Sequence, residues 1–224
     1  MSREDACKRF HDHQDAWDLV VIGGGATGVA IAMDAAIRGL SVVLVEQSDF
    51  GKGTSSRSTK LVHGGVRYLQ QGNITLVRDA LRERTLLRAN APHLVHDLSF
   101  VIPCRSWWQR FFYGVGLKVY DFLAVGNSFG RSRNLSVPDT MRAVPGLSRN
   151  RIKGGVLYHD GQFDDARLLI SMVRTGHDAG ACLLNYMRVT SLIRNQNDRI
   201  TGVSVCDAES GEEFSIQGRA VINA

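Results

Sequence analysis

The amino-acid sequence predicts an α/β fold with a doubly wound parallel sheet, and three observations near its start support that prediction. The apolar run Trp17–Ile22 ends at glycines, as a central strand buried on both faces does. In Ala26–Ile37 the apolar residues recur at helical spacing, and Gly39 stands at the C-cap position. Residues 41–45 form a second apolar run, which completes a βαβ unit of about thirty residues.

Length and composition indicate one globular domain, or one domain with the beginning of another. The chain has 224 residues, 44% of them hydrophobic, and can bury a sizeable core. Residues 1–16 form a polar leader, and no apolar run is long enough for a spanning helix or a secretory signal. We expect an incomplete domain over residues 17–224, because residues 219–223 begin a buried strand where the sequence stops.

The cysteine spacing and the charge distribution narrow the functional classes. Cys7, Cys104, Cys182 and Cys206 lie far apart without a CxxC pair, which predicts no metal site and fits a reducing cytoplasmic setting. Residues 101–153 hold nine Arg or Lys and two Asp, a net charge of +7 in a chain of +5. One face is therefore expected to meet an anionic partner or solvent, and no nucleic-acid motif accompanies the charge.

Periodicity and turn residues predict the other elements. Residues 51–72, rich in Gly, Ser and Thr, are expected to form a long functional loop. Helical spacing recurs at residues 73–90, 107–123 and 166–179. The predicted strands are residues 98–103, a β-meander at 182–193, 200–206 and 213–217, and a separate strand at 219–223.

The predicted helix at residues 107–123 is amphipathic. Aromatic residues such as Trp108 and Phe112 share one side, whereas Arg110 and Lys118 lie on the other. Such a helix suits a membrane interface, where rings enter the lipid and cations meet anionic head groups. The same stripe also suits the protein core, so both interpretations stay open.

A glycine turn joins the first predicted strand to the first predicted helix. Residues 23–28 match G-x-G-x-x-G, in which Gly23 permits the turn, Gly25 lets the backbone approach a pyrophosphate and Gly28 allows close helix–strand packing. Glu46, at the end of the second strand, is placed to accept hydrogen bonds from ribose hydroxyls. The sequence therefore predicts a dinucleotide site at the helix N-terminus, which FAD and NAD share.

A second motif, at residues 53–69, separates these two cofactors. Its sequence, GTSSRSTKLVHGGVRYL, concentrates hydroxyls, glycines and cations just after the ribose acid. It resembles the flavin-contacting segment of the FAD-dependent, quinone-linked glycerol-3-phosphate dehydrogenases, with their TSS and K-L-[VI]-H-G-G-[VL]-R-Y motifs. The resemblance continues through residues 91–94, 163–168 and 221–224, so the chain resembles the N-terminal part of that family.

This resemblance implies an FAD/NAD(P)-binding sheet with the start of a substrate or cap domain at about residues 92–160, and FAD as the cofactor. Hydroxyls and backbone N–H groups suit the many acceptors of a flavin, and glycines let the backbone approach the ring. The residues it assigns to the cofactor are Gly23, Gly25, Ala26, Thr27, Gly28, Glu46, Gln47, Thr54, Ser55, Ser58, Lys60, Leu61, His63, Gly64 and Val189.

Three residues are candidates for the substrate or for catalysis. A guanidinium suits bidentate phosphate binding, so Arg67 would hold the substrate phosphate, and Tyr68 would add one directed hydrogen bond. Alternatively, Arg67 pairs with a surface carboxylate and Tyr68 packs. His63 would act as a general base or as a positioned hydrogen-bonding group.

The resemblance also implies a reaction and its partners. sn-Glycerol 3-phosphate would be oxidised to dihydroxyacetone phosphate, and the electrons would pass to ubiquinone. Because ubiquinone lies in the bilayer, we expect a cytoplasmic protein associated peripherally with the inner face of the cytoplasmic membrane. A homodimer stays open, and this piece alone is expected to be inactive because the family uses later substrate residues.

Two other functions stay open. A soluble FAD-dependent oxidase or dehydrogenase of amino acids or 2-hydroxy acids shares the fold and would show no preference for a phosphorylated substrate. A nucleic-acid-binding module would use the basic segment, but it would be colourless rather than yellow.

Overall fold

The computed structural model describes residues 2–65, 68, 71–124 and 130–224, which form two compact units. Unit 1 comprises Met1–Ser58 and Asp165–Ala224, and unit 2 comprises Thr59–Asp164. The substrate or cap region expected at about residues 92–160 falls within unit 2, and its role stays a prediction.

Strands and helices alternate along the described residues as far as residue 184, after which three further strands follow without a helix. The strands are β1 (Trp17–Ile22), β2 (Val42–Val45), β3 (Leu61–Val62), β4 (Val95–Cys104), β5 (Arg133–Leu135), β6 (Gly154–Phe163), β7 (Cys182–Leu184), β8 (Met187–Arg194), β9 (Ile200–Asp207) and β10 (Glu213–Asn223). The α-helices are α1 (Arg3–Asp12), α2 (Ala26–Ile37), α3 (Ile74–Asn90), α4 (Trp107–Leu123), α5 (Val137–Ala143) and α6 (Asp165–Asp178). Two short 3₁₀ helices are Thr54–Ser56 and Arg149–Arg151.

A six-stranded mixed sheet forms the centre of unit 1, in the order β7-β2-β1-β10-β9-β8. β7, β2, β1 and β10 run parallel, with Val20 of β1 opposite Val43 of β2 and Val221 of β10. β9 and β8 extend the sheet in antiparallel pairing. The parallel part confirms the predicted α/β fold class, and the antiparallel part is the predicted meander.

Apolar residues on both faces of the parallel strands build two cores. Val21 and Leu44 pack with α2 and α6 on one face, whereas Val20 and Val43 pack with α1 and the meander on the other. Successive strand residues point to opposite faces, so an uninterrupted apolar run fills both cores. Cys182 lies in the second core, where burial raises the pKa of its thiol to about 12.

The meander departs from the sequence prediction in two places. The predicted strand at residues 182–193 is divided into β7 and β8, because Tyr186 has a positive φ of 56° and turns the chain between them. The two strands predicted at residues 213–217 and 219–223 are one strand, β10. Its first part pairs with β9 and its last part with β1, and a change of partner leaves no break in the local period.

The polar leader contains α1, which begins with a capping box. The Ser2 hydroxyl accepts the N–H of Asp5, and the Asp5 carboxylate accepts the N–H of Ser2. Arg9 donates to the carbonyl oxygen of Ala181 at 2.7 Å, and Arg3 forms an ion pair with Asp207 at the same distance. Hydrogen bonds and an ion pair therefore hold the leader against the rest of unit 1.

An antiparallel sheet in the order β3-β6-β4 forms the centre of unit 2, with β5 also paired to β6. β4 pairs with β6 from Val95 opposite Phe163 to Cys104 opposite Gly154. The sequence analysis predicts only part of β4 and misses β6, whose glycines and polar residues obscure its period. α3 confirms the helix predicted at residues 73–90, and the Asn73 side chain caps it.

α4 leaves its aromatic side exposed. Its buried residues are Leu117 and Tyr120, which pack with α3 and β6. Among the described residues, the aromatic stripe is therefore not part of a core. No helix among the described residues combines the length and the apolarity needed to cross a membrane. Four aromatic residues of α4 each expose between 62% and 76% of their surface: Trp107, Trp108, Phe111 and Phe122.

Candidate functional site

Backbone contacts shape the glycine turn between β1 and α2. Gly23 has a φ of 107°, and its N–H donates to the carbonyl oxygen of Val45 at 2.9 Å, which ties the turn to β2. A β-carbon on Gly28 would overlap the carbonyl oxygen of Gly23. Glycine is therefore required at both positions, in the first by backbone conformation and in the second by the close approach of helix to strand.

The first amides of α2 face the place predicted for a pyrophosphate. N–H groups in the first turn of a helix have no partner within the helix, and they favour an anion. The Ala26 N–H donates to the Ser55 hydroxyl at 2.9 Å, so Ser55 lies at the helix N-terminus. Thr27 follows in the exposed first turn. The cofactor contacts of Gly25, Ala26, Thr27 and Ser55 stay predictions.

Glu46 organises the backbone around the turn. Its carboxylate accepts the N–H of Gly24 at 2.7 Å and the N–H of Ser48 at 2.8 Å, one on each oxygen. A carboxylate has about four acceptor positions, so both oxygens retain capacity for a ribose hydroxyl. Besides the predicted ribose contact, Glu46 therefore connects the end of β2 to the glycine turn.

A cavity of about 390 Å³ in unit 1, here called the turn cavity, borders these residues. Lys52 and Arg57 also line it, although neither was among the predicted cofactor residues. Both lie within eleven residues of Glu46, in the segment rich in Gly and Ser. A helix N-terminus, close-packed glycines, two cations and one carboxylate fit the ADP half of a dinucleotide. The predicted cofactor residues that line the turn cavity are Gly23, Gly25, Glu46, Gln47, Thr54 and Ser55.

Two predicted cofactor residues of unit 1 have other contacts. Ser58 donates to the Asp165 carboxylate through its N–H at 3.2 Å and its hydroxyl at 2.7 Å, and so holds the first residue of α6. Val189, on β8, packs against the second core. Neither residue is among those that line the turn cavity, and their cofactor contacts stay predictions.

A second cavity, of about 470 Å³, lies within unit 2 and is here called the motif cavity. Leu61, His63 and Tyr68, all predicted site residues, line it together. Lys60 stands in the sequence between Thr59 and Leu61, both of which line this cavity. The Lys60 carbonyl oxygen accepts the N–H of Phe163 at 3.0 Å. Arg67 lies outside the described residues. Sequence reasoning missed the other lining residues, which are Thr59, Gly65, Gln71, Phe100, Tyr158 and Asp160.

A buried ion pair stands at the motif cavity. Arg84 of α3 donates from Nη1 to Asp160 Oδ1 at 2.6 Å and to the Tyr120 hydroxyl at 3.2 Å. The two charged side chains expose only 1% and 4% of their surface. Asp160 Oδ1 also accepts the N–H of Gly64 at 3.1 Å. Burial, together with the negative charge of Asp160, raises the pKa of Tyr120, so its hydroxyl keeps its proton.

The sequence carries one signal of this ion pair. Val77, Leu81 and Arg84 follow one another at helical spacing, which places Arg84 on the buried face of α3. A charged residue in such a place is expected to be paired. Its partner stands 76 residues further along, and no local pattern indicates Asp160.

Comparisons with known proteins match nearly the whole chain. The family described as FAD dependent oxidoreductase matches residues 18–224. The mitochondrial glycerol-3-phosphate dehydrogenase of Schizosaccharomyces pombe is 40% identical over 230 residues, covering 100% of this chain and 35% of that protein. The mitochondrial glycerol-3-phosphate dehydrogenase of Bos taurus is 43% identical over 220 residues, covering 93% and 30%.

A solved structure agrees with these relatives. The glycerol-3-phosphate dehydrogenase from Bacillus halodurans, complexed with FAD, matches with a TM-score of 0.76 and 32% identity, covering 100% of this chain and 37% of that one. The chain thus spans about a third of the length of the relatives it matches. The family match includes the turn cavity and the motif cavity. The chain belongs to the FAD dependent oxidoreductase family, and FAD is its cofactor.

Proposed function

We propose that the protein containing this chain oxidises sn-glycerol 3-phosphate to dihydroxyacetone phosphate with FAD and passes the electrons to ubiquinone. Relatives named glycerol-3-phosphate dehydrogenase, at 40% and 43% identity, support the substrate. A similarly named structure complexed with FAD supports the pairing of this substrate with a flavin. The ubiquinone acceptor rests on the motif resemblance.

The motif cavity is the observation that carries the proposal. It brings His63 and Tyr68 of the flavin motif together with Asp160 and a stacked pair of rings, Phe100 and Tyr158, whose centroids are 5.3 Å apart. A cavity wall that combines aromatic rings with directed polar groups is typical of a small-molecule site. Its volume of about 470 Å³ is sufficient for a three-carbon phosphate beside a ring.

The residues of this chain bind the substrate and move one proton. When bound, FAD supplies the two-electron acceptor for the hydride that leaves C2. Tyr68 directs the substrate with one hydrogen bond, and Arg67 binds its phosphate. His63 takes the proton of the C2 hydroxyl on a ring nitrogen, so that C2 becomes the ketone carbon of dihydroxyacetone phosphate. Holding C2 in one orientation is the main contribution of the cavity wall.

Anaerobic mixing of the full-length protein with glycerol 3-phosphate tests the proposal. The flavin absorbance should bleach, and Tyr68→Phe should slow the bleaching by about tenfold or more, because one directed hydrogen bond is lost. Tyr113→Phe removes a hydroxyl outside the cavity and should leave the rate unchanged. Bleaching by amino acids or unphosphorylated 2-hydroxy acids instead, with hydrogen peroxide formed in air, would establish the rival oxidase.

We also propose that α4 places the protein on the surface of an anionic membrane. Ubiquinone is dissolved in the interior of that membrane, so this position would bring the protein close to it. The exposed rings of Trp108, Phe111 and Phe122 supply the apolar face. Arg110 lies over the Trp107 ring, with its guanidinium carbon 5.4 Å from the ring centroid, at the start of that face. Aromatic rings with neighbouring cations are what an interfacial helix uses.

Sedimentation with liposomes that contain phosphatidylglycerol tests the role of α4. The double change Trp108→Ser/Phe112→Ser should release the full-length protein from the liposomes. Leu192→Ser/Ile200→Ser is the matched control, because these residues of β8 and β9 are also exposed and apolar. Equal binding by the two double variants contradicts the proposal.

A further inference from the structure

One oxygen of Asp160 gathers three donors at the motif cavity. Oδ1 accepts Arg84 Nη1 at 2.6 Å, the N–H of Gly64 at 3.1 Å and the N–H of Gly161 at 3.2 Å. One of these donors is charged, and the other two are backbone amides. The buried ion pair is therefore also a backbone anchor, and the Gly64 amide it holds belongs to the flavin motif.

Tyr120 fixes Gly64 from a second direction. A β-carbon on Gly64 would overlap the Tyr120 hydroxyl, so the backbone lies directly against the buried phenol. The same hydroxyl accepts a hydrogen bond from Arg84 at 3.2 Å. α3, α4 and β6 thus each contribute one side chain to hold a single glycine. The residues on either side of it, His63 and Gly65, line the cavity.

Stability alone does not account for this arrangement. Removing two charges from water costs free energy that their attraction only partly returns, and apolar residues of similar volume often serve a core as well. A buried pair that satisfies its own charges while it orients a neighbouring backbone is better explained by geometry. The pair is also electrically neutral as a whole, so it adds no net charge to the cavity wall.

We propose that Arg84 and Asp160 are positioning residues for the oxidation. Through the Gly64 amide they hold residues 63–65 in the conformation that the flavin and the substrate would meet, and Arg84 neutralises the carboxylate that lines the motif cavity. This inference rests on the proposed function. Arg84 and Asp160 act through the turn, and His63 and Tyr68 remain the groups that touch the substrate.

The test uses full-length protein loaded with FAD and two matched carboxamide variants. Asp160→Asn keeps the shape of the side chain and removes its charge. Asp97→Asn is the control, because Asp97 pairs with Arg88 of the same helix at 3.1 Å but on the surface, with 39% and 45% exposed. The measurements are the flavin midpoint potential, its visible spectrum, and kcat and KM for glycerol 3-phosphate.

Asp160→Asn should raise the midpoint potential, because the unbalanced charge of Arg84 favours the more negative reduced flavin. It should also shift the flavin spectrum and lower kcat by about tenfold or more, with KM within about twofold, since alignment rather than phosphate binding is lost. Asp97→Asn should match the wild type. The inference is overturned if both variants share the wild-type potential, spectrum and kcat, or if only KM changes.

A replacement variant and a second set of measurements cover the cases in which Asp160→Asn does not fold or glycerol 3-phosphate does not reduce the flavin. If Asp160→Asn does not fold, Arg84→Lys replaces it, with Arg88→Lys as the control. Lysine keeps the charge, but its nitrogen ends one bond short of the Nη1 position from which Arg84 donates to both Asp160 and Tyr120. An Arg84→Lys protein with the spectrum and kcat of the control overturns the inference. If glycerol 3-phosphate does not reduce the wild-type flavin, the proposed function fails, and the potential and spectrum still judge the positioning role.

Discussion

Two short Arg–Asp ion pairs, one from each unit, differ in burial far more than in length. Arg3 and Asp207 of unit 1 lie 2.7 Å apart with 25% and 10% of their side chains exposed. Arg84 and Asp160 of unit 2 lie 2.6 Å apart with 1% and 4% exposed. Water screens the first pair but not the second. Similar distances therefore correspond to different energetic roles, since one pair is partly exposed to water and the other is fully buried.

The two cavities also differ, in the parts of the chain that build them. The turn cavity depends on its backbone at glycines such as Gly23 and Gly51, where a β-carbon would clash, and side chains such as Glu46 and Lys52 complete its lining. The motif cavity is built largely from side chains that come from distant parts of the chain, such as His63, Phe100 and Asp160. A backbone site should be sensitive to added atoms, whereas a side-chain site should be sensitive to lost partners.

Breaking the buried pair should have the largest effect. Arg84→Met leaves the Asp160 carboxylate buried without its guanidinium, which should lower the free energy of unfolding by about 3–5 kcal/mol. Arg88→Met, on the same helix but on the surface, should cost less than about 1 kcal/mol. Urea unfolding of the full-length protein measures both. Equal losses would mean that the buried and exposed pairs do not differ energetically.

Adding one carbon atom to the glycine turn should have the second-largest effect on stability. Gly28→Ala forces a β-carbon onto the Gly23 carbonyl oxygen, which should destabilise the fold by about 1–3 kcal/mol and weaken FAD binding. Gly116→Ala, on α4, meets no atom within 4 Å and should stabilise the helix by about 0.5–1 kcal/mol. Thermal unfolding with and without FAD separates the two effects. An unaltered melting temperature for Gly28→Ala would refute the packing argument.

Neutralising the acid of the turn cavity should have a smaller effect. Glu46→Gln removes the charge that strengthens the bonds from the Gly24 and Ser48 amides and that would strengthen the predicted bond from the ribose. FAD affinity should fall about tenfold, or about 1.4 kcal/mol. Asp49→Asn, an exposed neighbour in the same loop, should bind FAD normally. Calorimetric titration of apoprotein with FAD gives both constants, and identical constants would remove Glu46 from the cofactor site.

The partly exposed pair of Arg3 and Asp207 should show the smallest effect on stability, and that effect should depend on pH. Burial opposes the charge of Asp207, but bonds from Arg3 and from the Glu209 and Ser210 amides outweigh it and lower its pKa. The pair therefore stabilises the fold above the unfolded pKa of about 3.9 and loses this contribution as pH falls through the lower folded value.

Asp207→Asn tests this pH dependence. The variant should cost less than about 1 kcal/mol at neutral pH, and the difference from the wild type should shrink as the pH falls from about 5 to about 3. Urea unfolding across this range provides the measurement. A difference that grows on acidification contradicts the assigned pKa direction.

Much of unit 1 was predictable because its constraints are local. The run Trp17–Ile22, the spacing in Ala26–Ile37 and the glycines between them each specify their own backbone within a few residues. Glu46 was predictable for the same reason, since it ends the strand that follows. The motif at residues 53–69 predicted the family, but not which of its residues would share a cavity.

In unit 2 the sequence alone indicated α3, α4, part of β4 and the family motif, while the tertiary structure decided the rest. β6 was hidden by its glycines, and Asp160 meets Arg84 only after β6 pairs with β4 and α3 packs over them. Packing likewise decided that the aromatic side of α4 is exposed. A helical period shows that two faces of a helix differ, but it does not show which face packs against the core. Local sequence thus determined the glycine turn and the dinucleotide motif, whereas contacts between distant segments determined the buried anchor, since they exist only in the folded chain.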